Sequence, residues 1–347
     1  INQACVASGC IPGDAPGFPV TLLVEGSYRL TSNLVVPTGA PAGITIAARA
    51  DLDLNGFSIR GPGTCGGTGG SVACTGLSGY GIFISDTSAN VRNGTITGLT
   101  TGVGTTSNTL IALSDLLIQS TGTGILGFET QLTIDRVRVQ TTSGSCIFIS
   151  NIIGSSFVQS IRSSFVADCH DSGIAADPGH QLTIVDTGVE NIGALGITTS
   201  DHAVIRNVRV NQAGSDGLVC GAHCIVEDSH FSSNNGRGLV AGAFSEVTEN
   251  GVGPNGNTAI VAGDGSTVSR NTVAAFDAAT GNRRGIQCGA GCGVFENVTR
   301  NGTVPIDVGE FLMFVAAAVG DALVRDGVLT EEDFTNDLWG RLALEPA

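Results

Sequence analysis

The sequence contains no lysine, one methionine, one tryptophan and two tyrosines in 347 residues. All 16 basic residues are therefore arginines, and 31 acidic residues leave a net charge of −15. A chain with this balance lacks the basic surface that binds polyanions, so we expect no nucleic-acid partner. The longest apolar run, Phe311 to Val319, is far shorter than the roughly 20 residues that span a bilayer, so we predict no transmembrane segment.

Glycine and cysteine, by contrast, are plentiful, with 51 and ten residues. The cysteine spacing predicts five disulfides: Cys5–Cys10, Cys65–Cys74, Cys220–Cys224, Cys288–Cys292 and, for the two that remain, Cys146–Cys169. Disulfides persist in oxidising compartments. The first residue, Ile1, is not Met, as after removal of a signal peptide. We therefore expect a secreted protein, located outside the cell or at its surface.

An internal repeat of about 21 residues runs through most of the chain. Each repeat has the pattern apolar, x, polar, x, x, apolar, as in the segment Val91–Ile96. The first apolar position recurs at Val91, Leu113, Ile134, Ile161, Ile184, Ile205, Val226, Val247, Val268 and Val294. A second apolar column keeps the same step at Ile82, Val103, Ile125, Ile147, Ile174, Ile197, Leu218, Leu239, Ile260, Ile286 and Ile306. Such a period is the signature of a repeat architecture.

Each repeat contains two or three short segments rich in Val, Ile and Thr, separated by Gly, Asn, Asp or Ser, which are typical of strands and turns. No repeat has room for a helix. One repeat cannot bury its apolar face alone, so successive repeats must stack strand on strand at about 4.8 Å per coil. Roughly twelve coils would form a β-solenoid about 55 Å long. The long intervals 134–161 and 268–294 are expected to form loops.

The start of the repeat region resembles a known family. The segments Val24–Leu30, Ile44–Ile46 and Leu52–Ile59 are similar to the opening of secreted right-handed parallel β-helix proteins, the pectate-lyase-like superfamily. The resemblance covers residues 18–306 and implies an all-β, right-handed parallel β-helix. It selects no activity, because that superfamily includes lyases, epimerases, hydrolases, tailspikes and non-catalytic surface proteins.

Both ends of the chain depart from the repeat, which divides it into residues 1–17, 18–306 and 307–347. Residues 1–17 are expected to form an irregular lead-in stapled by Cys5–Cys10. The segment 307–347 has helical character over Phe311–Val324 and a capping-box pattern at Thr330–Asp333. We expect two short helices there, which cover the open end of the stack or dock on another subunit.

All five histidines lie between positions 170 and 230, within about three repeats. Clustered titratable groups are typical of active sites. The candidate catalytic residues are the ones concentrated there: Asp168, His170, Asp171, Asp177, His180 and His202. The segment Asp177–His180 resembles the Asp-Pro-His element of alginate epimerases, but Gly179 interrupts it and it implies no activity.

Two groups of residues have metal-binding character. His202 and His223 share one register, so they should stack about one strand spacing apart, close enough to share a metal ion or a proton. The alternative is that both are turn residues. Asp51, Asp53 and Asn55 share one face of a strand, which suits a surface calcium ion. No other cofactor is expected.

Opposite charges recur one repeat apart. The pairs are Asp115 with Arg136, Asp135 with Arg162, Arg206 with Glu227, and Glu249 with Arg270 and then Glu296. Opposite charges on neighbouring strands contribute about 0.2–1 kcal/mol each, which explains many arginines without a ligand. Asp186, Asn207 and Asp228 form a further column and are expected at bends, where Asn and Asp tolerate unusual backbone angles.

No catalytic constellation survives these assignments. We therefore expect an extracellular structural, adhesive or filament-forming protein, not an enzyme, with self-association through the ends of its stack. The alternative is a protein that binds or processes an extracellular polysaccharide, as a lyase or epimerase does, in a groove beside residues 168–230. The scarcity of Tyr and Trp weighs against an aromatic platform for sugar rings.

Overall fold

The computed structural model describes residues 1–106, 109–150, 158–179, 181–274, 284–300 and 304–308. Within these ranges the chain is an all-β parallel solenoid of about twelve turns, as the repeat predicts. Each repeat forms one coil of three short strands, and each strand pairs in parallel with its counterpart one coil away. The only helical elements in the described part are two 3-10 turns, Cys5–Ala7 and Gly69–Ser71.

The strands lie on three faces. Face 1 is a sheet of thirteen strands: Val20–Leu22, Ala42–Ile46, Tyr80–Ile84, Thr101–Thr105, Thr123–Phe128, Ile147–Ser150, Ile174–Ala176, Ile197–Thr198, Leu218–Cys220, Leu239–Ala241, Ile260–Ala262, Arg284–Cys288 and Val304–Val308. Face 2 contains Gly26–Arg29, Ala50–Asp53, Thr130–Asp135, Val158–Arg162, Gln181–Val185, Val204–Arg206, Ile225–Glu227, Glu246–Thr248, Thr267–Ser269 and Gly293–Phe295. Face 3 contains Leu34–Val35, Ser58–Arg60, Arg138–Thr142, Phe165–Cys169, Gly188–Ile192, Arg209–Ala213, His230–Ser232, Gly251–Val252, Thr272–Ala274 and Val298–Arg300. Two long strands, Ala89–Thr97 and Thr109–Thr121, run through faces 2 and 3.

Three corners join the faces, and most coils place one residue with positive φ at each. Corner 1, between faces 1 and 2, has Asp86, Glu129, His202, His223, Phe244, Gly265 and Gly291. Corner 2, between faces 2 and 3, has Asn55, Asn93, Asp115, Arg136, Ser163, Asp186, Asn207, Asp228, Glu249, Arg270 and Glu296. Corner 3, between face 3 and the next face 1, has Gly98, Ser120, Thr141, Asp168, Asn191, Gln212 and Ser233. The predicted bend at Asp186, Asn207 and Asp228 is confirmed.

The interior is filled by columns of identical or similar side chains. On face 1, Ile82, Ile125 and Ile147 belong to one column and are each 0% exposed. Corner 2 adds a buried amide column, in which Asn271 Oδ1 accepts from the backbone N–H of Asn250 at 2.9 Å and from its Nδ2 at 3.0 Å. The buried turn backbone is thereby hydrogen-bonded, which an aliphatic column cannot do.

The lead-in packs against the first coil of the stack. The N-terminal amine of Ile1 donates to the Arg29 carbonyl at 2.8 Å, and Asp14 accepts from the Thr21 N–H at 2.8 Å. Val6 is buried, and the first-coil core residues Val20 and Leu22 are 0% exposed. The lead-in covers part of this end, and Leu23, Val24 and Val35 of the first coil remain exposed.

All five predicted disulfides are present, and the described part has no free cysteine. Cys65–Cys74 joins the antiparallel strands Thr64–Gly66 and Ala73–Thr75, which project from the solenoid as a hairpin. We call residues 61–79, which include this hairpin, the arm. The helices expected within 307–347 lie outside the described residues beyond position 308, as do the centres of the expected loops, 151–157 and 275–283.

Candidate functional site

The structure separates the candidate catalytic residues into two groups. Asp168, His170 and Asp171 lie at or next to corner 3, whereas Asp177 and His202 lie at corner 1. A strand of face 1 runs between the two corners, so these side chains form no single cluster. His180 lies outside the described residues.

Asp168 has a structural contact set. Its Oδ1 accepts from Asn191 Nδ2 at 2.5 Å and from the backbone N–H of Gly69, in the arm, at 3.3 Å. The neighbouring His170 and Asp171 are exposed, and their backbone N–H groups donate to Thr142 and Gly144. Asp168 therefore anchors the arm to corner 3.

Three aromatic rings stack at corner 1. The ring centroids of His202 and His223 are 5.0 Å apart and those of His223 and Phe244 are 5.4 Å apart, with 16° between the ring planes in both pairs. The stacking predicted for the two histidines is thus confirmed, and Phe244 extends it. Asp177, in an earlier coil, accepts from Ser150 Oγ at 2.8 Å. No group of three His, Cys, Asp or Glu side chains placed to hold a metal ion occurs in the described ranges.

The side chains of Asp51, Asp53 and Asn55 lie on the outer face of their strand, as predicted. The residues between them, Leu52 and Leu54, are buried. Arg92 forms ion pairs with both Asp51 and Asp53, the latter at 3.8 Å. Asp53 Oδ1 also accepts from the Asn55 N–H at 2.7 Å. A calcium ion here would have to compete with the Arg92 guanidinium, so the site stays a prediction that this contact disfavours.

Three of the predicted charge pairs are confirmed as ion pairs between neighbouring coils. Arg136 contacts Asp115 at 2.7 Å, Arg206 contacts Glu227 at 2.5 Å, and Arg270 contacts Glu249 at 2.7 Å. The hydrogen bond from Arg136 holds the pKa of Asp115 below its usual range. Asp135 and Arg162 are register partners on face 2 but form no ion pair with each other: Asp135 pairs with Arg136, and Arg162 Nε donates to Ser160 Oγ at 3.0 Å. Each of these arginines has a structural partner, whereas some other arginines of the described residues have no carboxylate partner.

Arg209 is such an arginine, and it lines a cleft of about 480 Å³ where face 3 meets corner 2. We call this the charged cleft; its lining residues are Asp186, Thr187, Gly188, Asn207, Val208, Arg209, Asp228 and His230. In the part of the chain that the structure describes, seven arginines form ion pairs, and neither Arg209 nor Asp228 does. An exposed guanidinium without a carboxylate partner can bind an anionic group in a bidentate manner.

The floor of the charged cleft follows from three successive coils of face 3. Gly188, Arg209 and His230 are register partners, so residues of one column in three successive coils line the cleft. The preceding residue in this column, Phe165, lies against Gly188, because a Cβ there would be 2.9 Å from Phe165 Cδ2. The Arg138 guanidinium lies 4.7 Å from the centroid of the same ring.

His230 is exposed at the edge of this cleft, and only part of its ring is buried. Burial, and then the charge of Arg209, lower its pKa from the ordinary value of 6.5. Its ring lies against Gly251, where a Cβ would be 2.9 Å from Nδ1. Above pH 6.5 the imidazole is therefore neutral and can accept a proton or a hydrogen bond. On the other side of the cleft, Asn207 Nδ2 donates to Asp186 Oδ1 at 2.6 Å.

Sequence reasoning placed Asp186, Asn207 and Asp228 at a bend but assigned them no part in a site, and it missed Arg209 and His230. The sequence nevertheless contains a pattern that identifies Arg209. Arg209 falls in a column whose neighbours one repeat away are Gly188 and His230, with no acid to neutralise it. The unpaired arginine could therefore have been found by the register test that identified the paired ones.

No protein-family model and no curated protein sequence matches this chain. Solved structures do resemble it. The A-module of a mannuronan C-5 epimerase from Azotobacter vinelandii covers 88% of this chain and 92% of its own, at 10% identity and a TM-score of 0.47. A mutant DFA-IIIase from Arthrobacter chlorophenolicus, in complex with DFA-III, covers 88% and 92%, at 14% identity and a TM-score of 0.49.

A third structure, the surface protein and adhesin PfbA of Streptococcus pneumoniae, covers 88% of this chain and 94% of its own, at 12% identity and a TM-score of 0.45. All three are parallel β-helix proteins. The class of this chain, a parallel β-solenoid, is shown by its own strand pairing. Among the described residues, no helix has the length and apolar character needed to cross a membrane.

Proposed function

We propose that this protein is an extracellular, adhesive β-solenoid that binds saccharide on face 3, with the charged cleft as the position of an acidic sugar. The observation that carries the proposal is the unpaired Arg209 beside His230 and Asp228 in an open, polar cleft. Small-molecule pockets are mostly apolar and enclosing. A shallow cleft lined by carboxylate, amide, imidazole and guanidinium groups instead suits a hydroxyl-rich ligand, and the Arg209 guanidinium is the group there that would bind a carboxylate of that ligand.

The extracellular location is supported by five disulfides, which cytosolic proteins rarely keep. The adhesive role is chosen because it uses the charged cleft, which is open on the side of the solenoid.

The test is calorimetric titration with hexagalacturonate. Arg209→Gln should weaken binding about tenfold, since hydrogen bonds to charged groups contribute ~1.5–3 kcal/mol and 1.4 kcal/mol is tenfold. Arg206→Gln is the matched control: it makes the same charge change just across corner 2, at an arginine paired with Glu227. Equal affinities for Arg209→Gln and wild type would show that the charged cleft does not bind the acid.

A second candidate function is proton transfer on the bound sugar, with neutral His230 as the general base. The lowered pKa of His230 next to Asp228 favours it. His230 would take the C5 proton of the uronate, the C4–O glycosidic bond would break as the C4=C5 double bond forms, and the departing oxygen would take a proton from water. Prolonged incubation with polygalacturonate should then generate unsaturated products, detected by ultraviolet absorbance, and His230→Gln should abolish them while binding persists. Intact polymer after incubation with wild type would leave binding as the function.

A further inference from the structure

A second cleft, of about 470 Å³, lies at the opposite ends of the strands that form the charged cleft. We call it the amide cleft; its lining residues are Gly70, Asn191, Ile192, Gly193, Gln212, Ala213, Gly214, Ser233 and Asn235. None of these residues carries a charge. The cleft therefore differs in chemistry from the charged cleft, although both are built by the same three coils.

The amide groups at corner 3 project into this cleft from left-handed backbone positions, with φ of 56° at Asn191 and 58° at Gln212. Asn191 is held in place by its hydrogen bond to Asp168. The side chains of Gln212 and Asn235 are exposed and have no hydrogen-bond partner among the described residues. Their amide groups, each with two donors and an acceptor, remain for a ligand.

The arm supplies one wall of the amide cleft. Its tip reaches coils about 100 residues further along the chain, where the Gly69 N–H donates to Asp168. A Cβ on Gly70 would lie 3.1 Å from Gly193 Cα, so the two backbones are in close contact. Val72, in the arm, is 2% exposed. The wall is thus anchored by burial and by the Cys65–Cys74 disulfide.

The two clefts are joined across face 3. The strands Gly188–Ile192 and Arg209–Ala213 begin at the charged cleft and end at the amide cleft, a length of about 13 Å for the four steps of about 3.3 Å between five residues. The outward residues between the clefts are polar: Glu190, Asn211 and Ser232 lie in one register column. A polar path therefore runs along these strands, across the solenoid axis.

We propose that the amide cleft is a second saccharide subsite, which takes a neutral sugar against the arm. The ligand class follows: an oligosaccharide of mixed composition, which lies across face 3 with an acidic sugar in the charged cleft and a neutral sugar in the amide cleft. The amide cleft binds through hydroxyl or amide groups, because its lining has donors and acceptors but no charge. This inference rests on the proposed function for the acidic position only.

Three hexasaccharide probes test the inference by calorimetry: hexagalacturonate, which is acidic throughout, chitohexaose, which is neutral, and a hyaluronan hexasaccharide, in which the two kinds alternate. We expect the hyaluronan probe to bind most tightly. The double variant Gln212→Ala/Asn235→Ala should weaken hyaluronan and chitohexaose binding about tenfold and leave hexagalacturonate binding nearly unchanged. Arg209→Gln should weaken hyaluronan and hexagalacturonate binding and spare chitohexaose.

The matched control is Gln131→Ala, which removes an exposed amide from face 2 and should change no affinity. Full hyaluronan affinity in the double variant, with a loss in Arg209→Gln, would overturn the second subsite and leave the proposed function standing. Binding of chitohexaose alone, sensitive to the double variant and insensitive to Arg209→Gln, would refute the acidic position and keep the amide cleft. Absence of binding by all three probes to wild type would overturn both.

Discussion

Replacing Asn271 with alanine should be among the most damaging single changes in the solenoid. The Asn271 side chain is 0% exposed and makes four hydrogen bonds. Its Oδ1 accepts from the backbone N–H and the Nδ2 of Asn250, and its Nδ2 donates to the Val247 carbonyl and Asn297 Oδ1. The alanine substitution therefore leaves two N–H groups of Asn250 without acceptors. Asn250 is itself 1% exposed, so water cannot replace them.

Each buried group left without a partner costs about 1–3 kcal/mol, so the free energy of unfolding should fall by roughly 2–6 kcal/mol. Urea-induced unfolding followed by circular dichroism measures this as a lower midpoint. Asn90→Ala is the matched control, since Asn90 faces outward on face 2, is exposed, and should change stability by less than about 0.5 kcal/mol.

A third variant separates lost hydrogen bonds from lost volume. Asn271→Leu fills the space but supplies no acceptor to Asn250, so it should be about as unstable as Asn271→Ala. If leucine restores the wild-type midpoint, the amide column stabilises the coil by filling space, and the hydrogen-bond reasoning is wrong.

Two further predictions concern pH and packing. Because the folded-state pKa of His230 is lowered, the unfolded chain binds more protons than the folded chain just below pH 6.5. The contribution of His230 to stability is therefore present above that pH and is lost as the pH falls, and His230→Gln should flatten the pH dependence of the urea midpoint there. A bound acidic sugar should raise the pKa of His230 in an NMR titration. Gly238→Ala should lower the melting temperature by several degrees. The added Cβ would lie 2.7 Å from the Ala259 carbonyl oxygen, from Asn255 Nδ2 and from Val252 Cγ1. An unchanged melting temperature would show that the coils can move apart at this point.

Much of the fold could be predicted because contacts in a solenoid join residues about one repeat apart. The pairing of Arg206 with Glu227 needs only the knowledge that positions 21 residues apart are register partners. The stacking of His202 on His223 follows in the same way, whereas the disulfide Cys220–Cys224 joins two residues of one turn. A repeat protein thereby converts sequence distance into spatial distance.

The candidate catalytic residues, by contrast, were expected to lie together, and the structure separates them. Asp168 and Asp177 are nine positions apart and belong to one coil, yet they lie at different corners, with the face 1 strand Ile174–Ala176 between them. Proximity in sequence therefore predicted proximity in space only along a column. Across a coil, three strands and three corners point side chains in different directions.

The sequence alone determined the period, the strand columns, the charge pairs and the disulfide pairs, because each depends on residues in the same or a neighbouring coil. Only the tertiary structure decided that the arm reaches from residue 69 to Asp168, since this contact crosses about 100 positions and has no periodic signal. It also decided the two clefts, because each is lined by polar residues from three neighbouring coils. The empty space between side chains is a property of their packing in three dimensions, and no single stretch of sequence encodes it.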